Sequence, residues 1–263
     1  MGAPYLSSPI DGLHLLTNAR FTNDFVSLLH QVGIPVRPEE SAYNFGYRLG
    51  CISIQIYPKF PQTPKNKIII NPSEAGLTLR QVVEWVRFMI GDERLAIVKR
   101  IDSKVDLFGV VTEDYINRIW VDGFRSINYR YIGETLYLGS RTSKQQRVIY
   151  NKAKQKGLST NWTRIEVRRS YEKDEQLTLN DFHQLYPTYN PFESMVLITA
   201  DVNTLNNLLS RYKLQMGNEK VIDVFKKLDT YKRRFILREL KKMGFIEELN
   251  LEYQRQLRNW LSY

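Results

Sequence analysis

The sequence predicts an α+β protein: a curved, mainly antiparallel sheet with helices packed on one face, followed by a basic helical C-terminal part. Three observations carry this expectation. Segments of alternating polar and apolar residues, separated by glycine turns, recur up to about residue 175. One strongly amphipathic segment, "TLRQVVEWVRFMIG", interrupts them. From about Thr178 onward the periodicity becomes helical and the charge becomes basic. The expected division is 1–175 as an α+β part and 176–263 as a helical basic part.

Taken in order, "DGLHLL" reads as a first strand and "TNDFVSLLHQVG" as a helix, because Phe25, Leu28, Leu29 and Val32 recur at helical spacing before Gly33. "NFGYRLGCISIQIYP" is strand material closed by Pro58, and "KIIIN" is another strand. Thr78 and Gly91 fit as N-cap and stop of the amphipathic helix. A strand then runs through "LAIVKRIDSKVDLFGVV", followed by a short helix "TEDYINRIW". "RSINYRYIG", "ETLYLGS" and "RVIYNK" form a meander turning at Gly133-Glu134 and Gly139-Ser140. A short basic helix ends at Gly157, and "NWTRIEVRRSY" is a further alternating strand. The C-terminal part holds the helices "VNTLNNLLSRY", "KVIDVFKKL", "TYKRRFILRELKKMG" and "LNLEYQRQLRNWL".

Charge narrows the class. The 38 Lys+Arg against 28 Asp+Glu give a net +10, the electrostatic footprint of a polyanion binder. From Arg211 to Tyr263 there are 13 Lys+Arg and 7 Asp+Glu, so most of the excess lies there. Lys232, Arg233, Arg234, Arg238, Lys241 and Lys242 are candidate duplex contacts, against the alternative of a solvated helix face. The single cysteine, Cys51, excludes an internal disulfide or a Cys-based zinc site. The N-terminus has no signal-peptide pattern and no run reaches the length of a membrane span, so a cytoplasmic protein without membrane attachment is expected. "GxxxxGK[ST]" and "GxGxxG" are both absent, which argues against ATP or NAD chemistry.

The strands carry the candidate chemistry. In "RIDSKVD", Asp102, Lys104 and Asp106 share one face and Ile101, Val105 and Leu107 the other. Carboxylates are poor strand formers, and their oxygens suit a divalent metal, Mg²⁺ or Mn²⁺. Residues four apart in a straight strand are about 13 Å apart, so one metal reaches both aspartates only if the strand bulges. Asp102 is the preferred ligand. In "NWTRIEVRRSY", Arg164, Glu166 and Arg168 share a face, so Glu166 could join an Asp at a metal while the arginines contact phosphate. Tyr150 shares a face with Val148 and Lys152 and is either packing or a nucleophile. A phenol is protonated at neutral pH, so attack on a phosphodiester needs nearby cations or a metal. Arg147, Lys152 and Lys154 supply the cations.

Together, "VKRIDSKVDLF", "GETLYLGSRTSKQQRVIYNKAKQKG" and "WTRIEVRR" resemble, in order, the replication-initiation factor family of rolling-circle plasmids and related phages and mobile elements. The resemblance spans about residues 95 to 170. It implies an origin-specific DNA nicking and strand-joining enzyme that attaches to the 5′ end through tyrosine and leaves a 3′-OH to prime replication. Tyr150 matches the family's tyrosine, and Asp102, Asp106 and Glu166 match its acidic strand positions. Lys152 matches the lysine of its "YDK" tripeptide, and Arg141 the arginine of its "GSR". The implied partners are double- and single-stranded origin DNA, a second copy of the chain and a host helicase. Asn151 departs from the family, which carries an acid there.

Alternatives remain at this level. A disabled origin-binding protein would explain Asn151. A relaxase of a mobile element would use the same chemistry. An unrelated nuclease would use water in place of Tyr150.

Overall fold

The computed structural model describes residues 8–39, 41–121, 129–140, 143–185, 190–192 and 194–261. Arg141 and the "RSIN" portion of the predicted meander lie outside the described residues. One open antiparallel sheet organises the chain, as expected. Its strands are β1 (Ile10–Thr17), β2 (Ile34–Val36), β3 (Tyr43–Leu49), β4 (Ile52–Pro58), β5 (Asn66–Ile70), β6 (Ile97–Phe108), β8 (Tyr129–Ile132), β9 (Thr135–Leu138), β10 (Gln145–Asn151), β11 (Trp162–Ser170) and β12 (Leu177–Thr178). They lie in the order β2-β3-β4-β5-β1-β6-β11-β10-β9-β8, with β12 paired to β6. The helices are α1 (Asn23–Val32), α2 (Pro72–Ala75), α3 (Leu79–Ile90), α4 (Thr112–Arg118), α5 (Lys152–Gln155), α6 (Leu179–Leu185), α7 (Val202–Ser210), α8 (Val221–Lys226), α9 (Thr230–Lys242) and α10 (Leu249–Leu261).

Alternation makes the sheet two-faced. Leu13, Ile68, Ile54, Ile101, Val105, Ile165 and Ile149 point to one side and are fully buried with Phe25, Val86, Leu240 and Tyr253 from the helices. Each such side chain contributes about 1.5–3 kcal/mol. The opposite face keeps the polar residues of the same strands. Local signals set the connections. Thr78 and Gln81 form a reciprocal capping box on α3, and Gly50 turns β3 into β4 at φ +55.

The second part of the chain differs from the expectation. It contributes strands as well as helices: β13 (Met195–Ile198) lies between β14 (Ile246–Glu248) and β7 (Ile119–Val121) in an antiparallel three-stranded sheet. The predicted "TEDYINRIW" helix stops at Arg118, and the fully buried Ile119-Trp120-Val121 becomes β7. Three buried apolar residues in succession suit a strand covered on both faces. The small sheet therefore draws strands from both sides of residue 175.

Candidate active site on the polar face of the sheet

Strand register sets the site. Asp106, Arg164 and Tyr150 lie opposite one another across β6, β11 and β10. Lys104, Glu166 and Val148 form the adjacent rank, and Asp102, Arg168 and Gln146 the next. Directly opposed residues share a face. The sequence-predicted side chains Asp102, Asp106, Tyr150, Arg164, Glu166 and Arg168 therefore stand on one surface, opposite the apolar core.

Tyr150 reaches diagonally to Glu166. Its hydroxyl donates to Glu166 Oε1. Glu166 Oε2 accepts from Arg168 Nη2 at 2.8 Å and Nε at 3.1 Å. Burial, then the charge and hydrogen bond of Glu166, push the Tyr150 phenol well above its usual value of 10. The resting tyrosine is therefore protonated. Lys152 opens α5, with its Nζ 5.7 Å from the centre of the Tyr150 ring and donating to Gln155 Oε1 at 2.7 Å. Burial lowers its pKa, and the charge of Arg164 lowers it further.

Asp106 is the hub of the first rank. Oδ1 accepts from Arg164 Nε at 2.6 Å and from the Trp162 indole at 2.8 Å. Oδ2 accepts from Arg164 Nη2 at 2.9 Å and Lys104 Nζ at 2.7 Å. Burial alone would raise this carboxyl, but Arg164 and Lys104 outweigh it and hold the pKa at about 2. Sequence reasoning missed one member, Asp11. The register of β1 against β6 shifts between Ile10 and Gly12, and this bulge brings the Asp11 carboxylate to Arg164 Nη1 at 2.8 Å and Ser73 Oγ at 2.5 Å. The "IDG" step was the signal: an acid before glycine inside a mostly apolar strand.

The expected metal set is not assembled. Asp102 and Asp106 stay apart, because β6 runs against β11 without a register shift from Phe108 to Arg100. Asp102 is held by Arg100 at 2.6 and 2.7 Å, Asp106 by four donors and Glu166 by Tyr150 and Arg168. Among the described residues no three His, Cys, Asp or Glu side chains group as metal ligands. These carboxylates balance arginine and lysine, and as placed they do not fit a metal centre. His14 lies on the same face; burial and then Arg100, Lys67 and Arg168 lower its pKa to about 3, so it is neutral at physiological pH.

The remaining predicted contacts divide. Lys154 is exposed and pairs with Glu134 at 2.6 Å. Arg147 corrects the expectation: it is 3 % exposed, lies opposite Val167 on the core side and donates to Ser194 Oγ at 3.0 Å. Alternation puts it on the face away from Tyr150. Arg233 is also a structural cation, donating to the Phe225 and Leu228 carbonyls at 3.3 and 2.8 Å at the end of α8. Lys232 pairs with Asp229 at 3.0 Å, while Arg234 and Arg238 are exposed on α9. Asn151 caps α5, its side-chain oxygen accepting from the Lys154 N–H at 2.8 Å. Asp and Asn fill that position equally well.

No helix among the described residues is long and apolar enough to cross a membrane. No protein-family model matches the chain, and no curated protein does. Among solved structures, the chain is similar to the rolling circle replication initiator protein from Geobacillus stearothermophilus, at 14% identity and a TM-score of 0.46, over 88% of this chain and 95% of that one.

Proposed function

We propose that this chain is a tyrosine-dependent DNA nicking and strand-transfer protein that initiates rolling-circle replication. One observation carries the reading: the Tyr150 hydroxyl is hydrogen-bonded to the Glu166 carboxylate on a face rich in arginine and lysine. A buried phenol is a poor nucleophile until a base takes its proton, and Glu166 is in place to do so. As the Tyr150 oxygen bonds to phosphorus, its proton passes to Glu166 and the P–O3′ bond breaks. The released 3′ oxygen takes a proton from water and becomes the 3′-OH. In the return step a 3′-OH gives its proton to solvent as its oxygen bonds to phosphorus, the P–O bond to Tyr150 breaks, and Tyr150 recovers its proton from Glu166. Arg168, one-third exposed, and Lys152 are the cations that would offset charge on the phosphate. Arg164 is committed to Asp106 and Asp11, which makes it a positioning residue.

No step is assigned to a metal, because the carboxylates are already engaged by cations. Asn151 gives the disabled-protein alternative no support, since its capping role needs no acid. The test uses supercoiled plasmid carrying the cognate origin, with Mg²⁺, with Mn²⁺ and with EDTA. The reading expects an open-circular product with the wild-type chain and none with Tyr150→Phe, while Tyr150→Phe still binds the origin. Nicking that survives Tyr150→Phe would assign the attack to water. Loss of nicking in EDTA alone would return a metal to the mechanism.

A further inference from the structure

Phe108 is 69 % exposed, although it is large and apolar. It ends β6 two residues beyond Asp106, on the same polar face, and lies opposite Trp162 in register. The two rings pack with centroids 5.1 Å apart at an interplanar angle of 32°. Trp162 is fixed from two sides. Its indole N–H donates to Asp106 Oδ1 at 2.8 Å, and the Arg164 guanidinium lies 5.5 Å from its ring centre. The ring pair is thus braced by the same ion-pair cluster that lies in register with Tyr150. Strand rise and spacing put the Trp162 Cα roughly 8 Å, and the Phe108 Cα roughly 12 Å, from that of Tyr150.

Trp162 already packs on Phe108 from one side, and the exposure leaves much of Phe108 open to solvent. An open aromatic ring on the sheet face that also carries Arg168 suits one ligand chemistry well: a nucleobase stacks on the ring while phosphates farther along the strand meet the cations. We propose that Phe108, backed by Trp162, is the stacking platform for a base of single-stranded DNA next to the phosphate that Tyr150 attacks. This rests on the nicking reading of Tyr150. Stacking accepts any base, so the platform holds the strand without reading its sequence.

The test compares a short fluorescein-labelled oligothymidylate with a base-free sugar-phosphate backbone of the same length, by anisotropy. Phe108→Ala is expected to weaken oligothymidylate binding about tenfold or more and to leave base-free binding at the wild-type level. Phe108→Trp is expected to restore the difference and shows that the position tolerates change. Equal oligothymidylate affinity in wild type and Phe108→Ala would overturn the platform, as would an equal loss for both probes or no measurable binding by the wild type. Failure of stacking therefore shows in binding, and failure of the nicking reading shows in cleavage by Tyr150→Phe.

Discussion

The Tyr150 hydroxyl donates its hydrogen bond to Glu166, and Arg168 holds the other oxygen of the same carboxylate at 2.8 Å. The two residues are diagonal neighbours on β10 and β11, because Tyr150 faces Arg164 and Glu166 faces Val148. This pairing makes a protonated tyrosine and its proton acceptor one unit. Glu166→Gln keeps the shape and removes the base. Nicking by Glu166→Gln should fall by about 10²- to 10⁴-fold. Its residual rate should climb as the pH rises, because the remaining route needs tyrosinate and the lost negative charge no longer raises the Tyr150 pKa. A wild-type rate for Glu166→Gln at neutral pH would remove Glu166 from the proton transfer.

Asp106 holds the scaffold under that unit. It is 2 % exposed and pairs with Arg164 and Lys104, which are 5 % and 2 % exposed. Asp106→Ala leaves two buried cations without their main counter-charge and should cost about 3–5 kcal/mol in urea unfolding at pH 7. The acid limb follows from the depressed pKa. The folded carboxyl titrates at about 2 against an ordinary 3.8, so its contribution is complete above pH 3.8 and is lost as the pH falls toward 2. That loss should be on the order of 2 kcal/mol. It should disappear from the pH dependence of Asp106→Asn, measured by urea titrations across that window.

Variants of Asn151 test the active protein against the disabled one. The Asn151 side chain caps α5 and so sets the start of the turn that carries Lys152. Asn151→Asp keeps the cap and should nick at the wild-type rate within a factor of a few. Asn151→Ala should lose about 1 kcal/mol of stability. A large gain of nicking in Asn151→Asp over an inactive wild type would instead identify the natural chain as the disabled form.

The basic residues fall into two groups that salt can tell apart. Arg234 and Arg238 are exposed on α9, and replacing either with Ala should reduce the salt dependence of DNA binding by about one counterion each, with little change in melting temperature. Arg147 and Arg233 serve the core and the end of α8. Their Ala variants should lower the melting temperature first. The reverse pattern would mean that the C-terminal cations do not face DNA.

Much of this was legible from alternation. The period of two groups Asp102, Lys104 and Asp106 in "RIDSKVD" and Arg164, Glu166 and Arg168 in "TRIEVRR", and the register of β6 and β11 puts the two groups on one face. The caps Thr78 and Gly91 were equally readable. What alternation omits is whether a polar side chain meets solvent or a partner. Arg147 alternates with Ile149 onto the face away from Tyr150, and there a partner from later in the chain, Ser194, meets it. Asp11 was hidden because a bulge breaks the period on which the reading depends. The carboxylates looked like metal ligands because sequence shows their charge and spacing, while the arginines that engage them lie on neighbouring strands or two residues along the same strand. Strands β13 and β14 are too short to show a period; they become strands because β13 pairs with β7 on one side and with β14 on the other.

The most direct measurement of the central claim is the chemical identity of the protein–DNA linkage. The chain is incubated with cognate origin DNA, denatured and digested with nuclease and trypsin, and its peptides are read by tandem mass spectrometry. The account predicts a nucleotide joined through its 5′-phosphate to Tyr150, in the tryptic peptide that runs from Val148 to Lys152, and its absence in Tyr150→Phe. A nick with no covalent peptide, or an adduct on another residue, would contradict it.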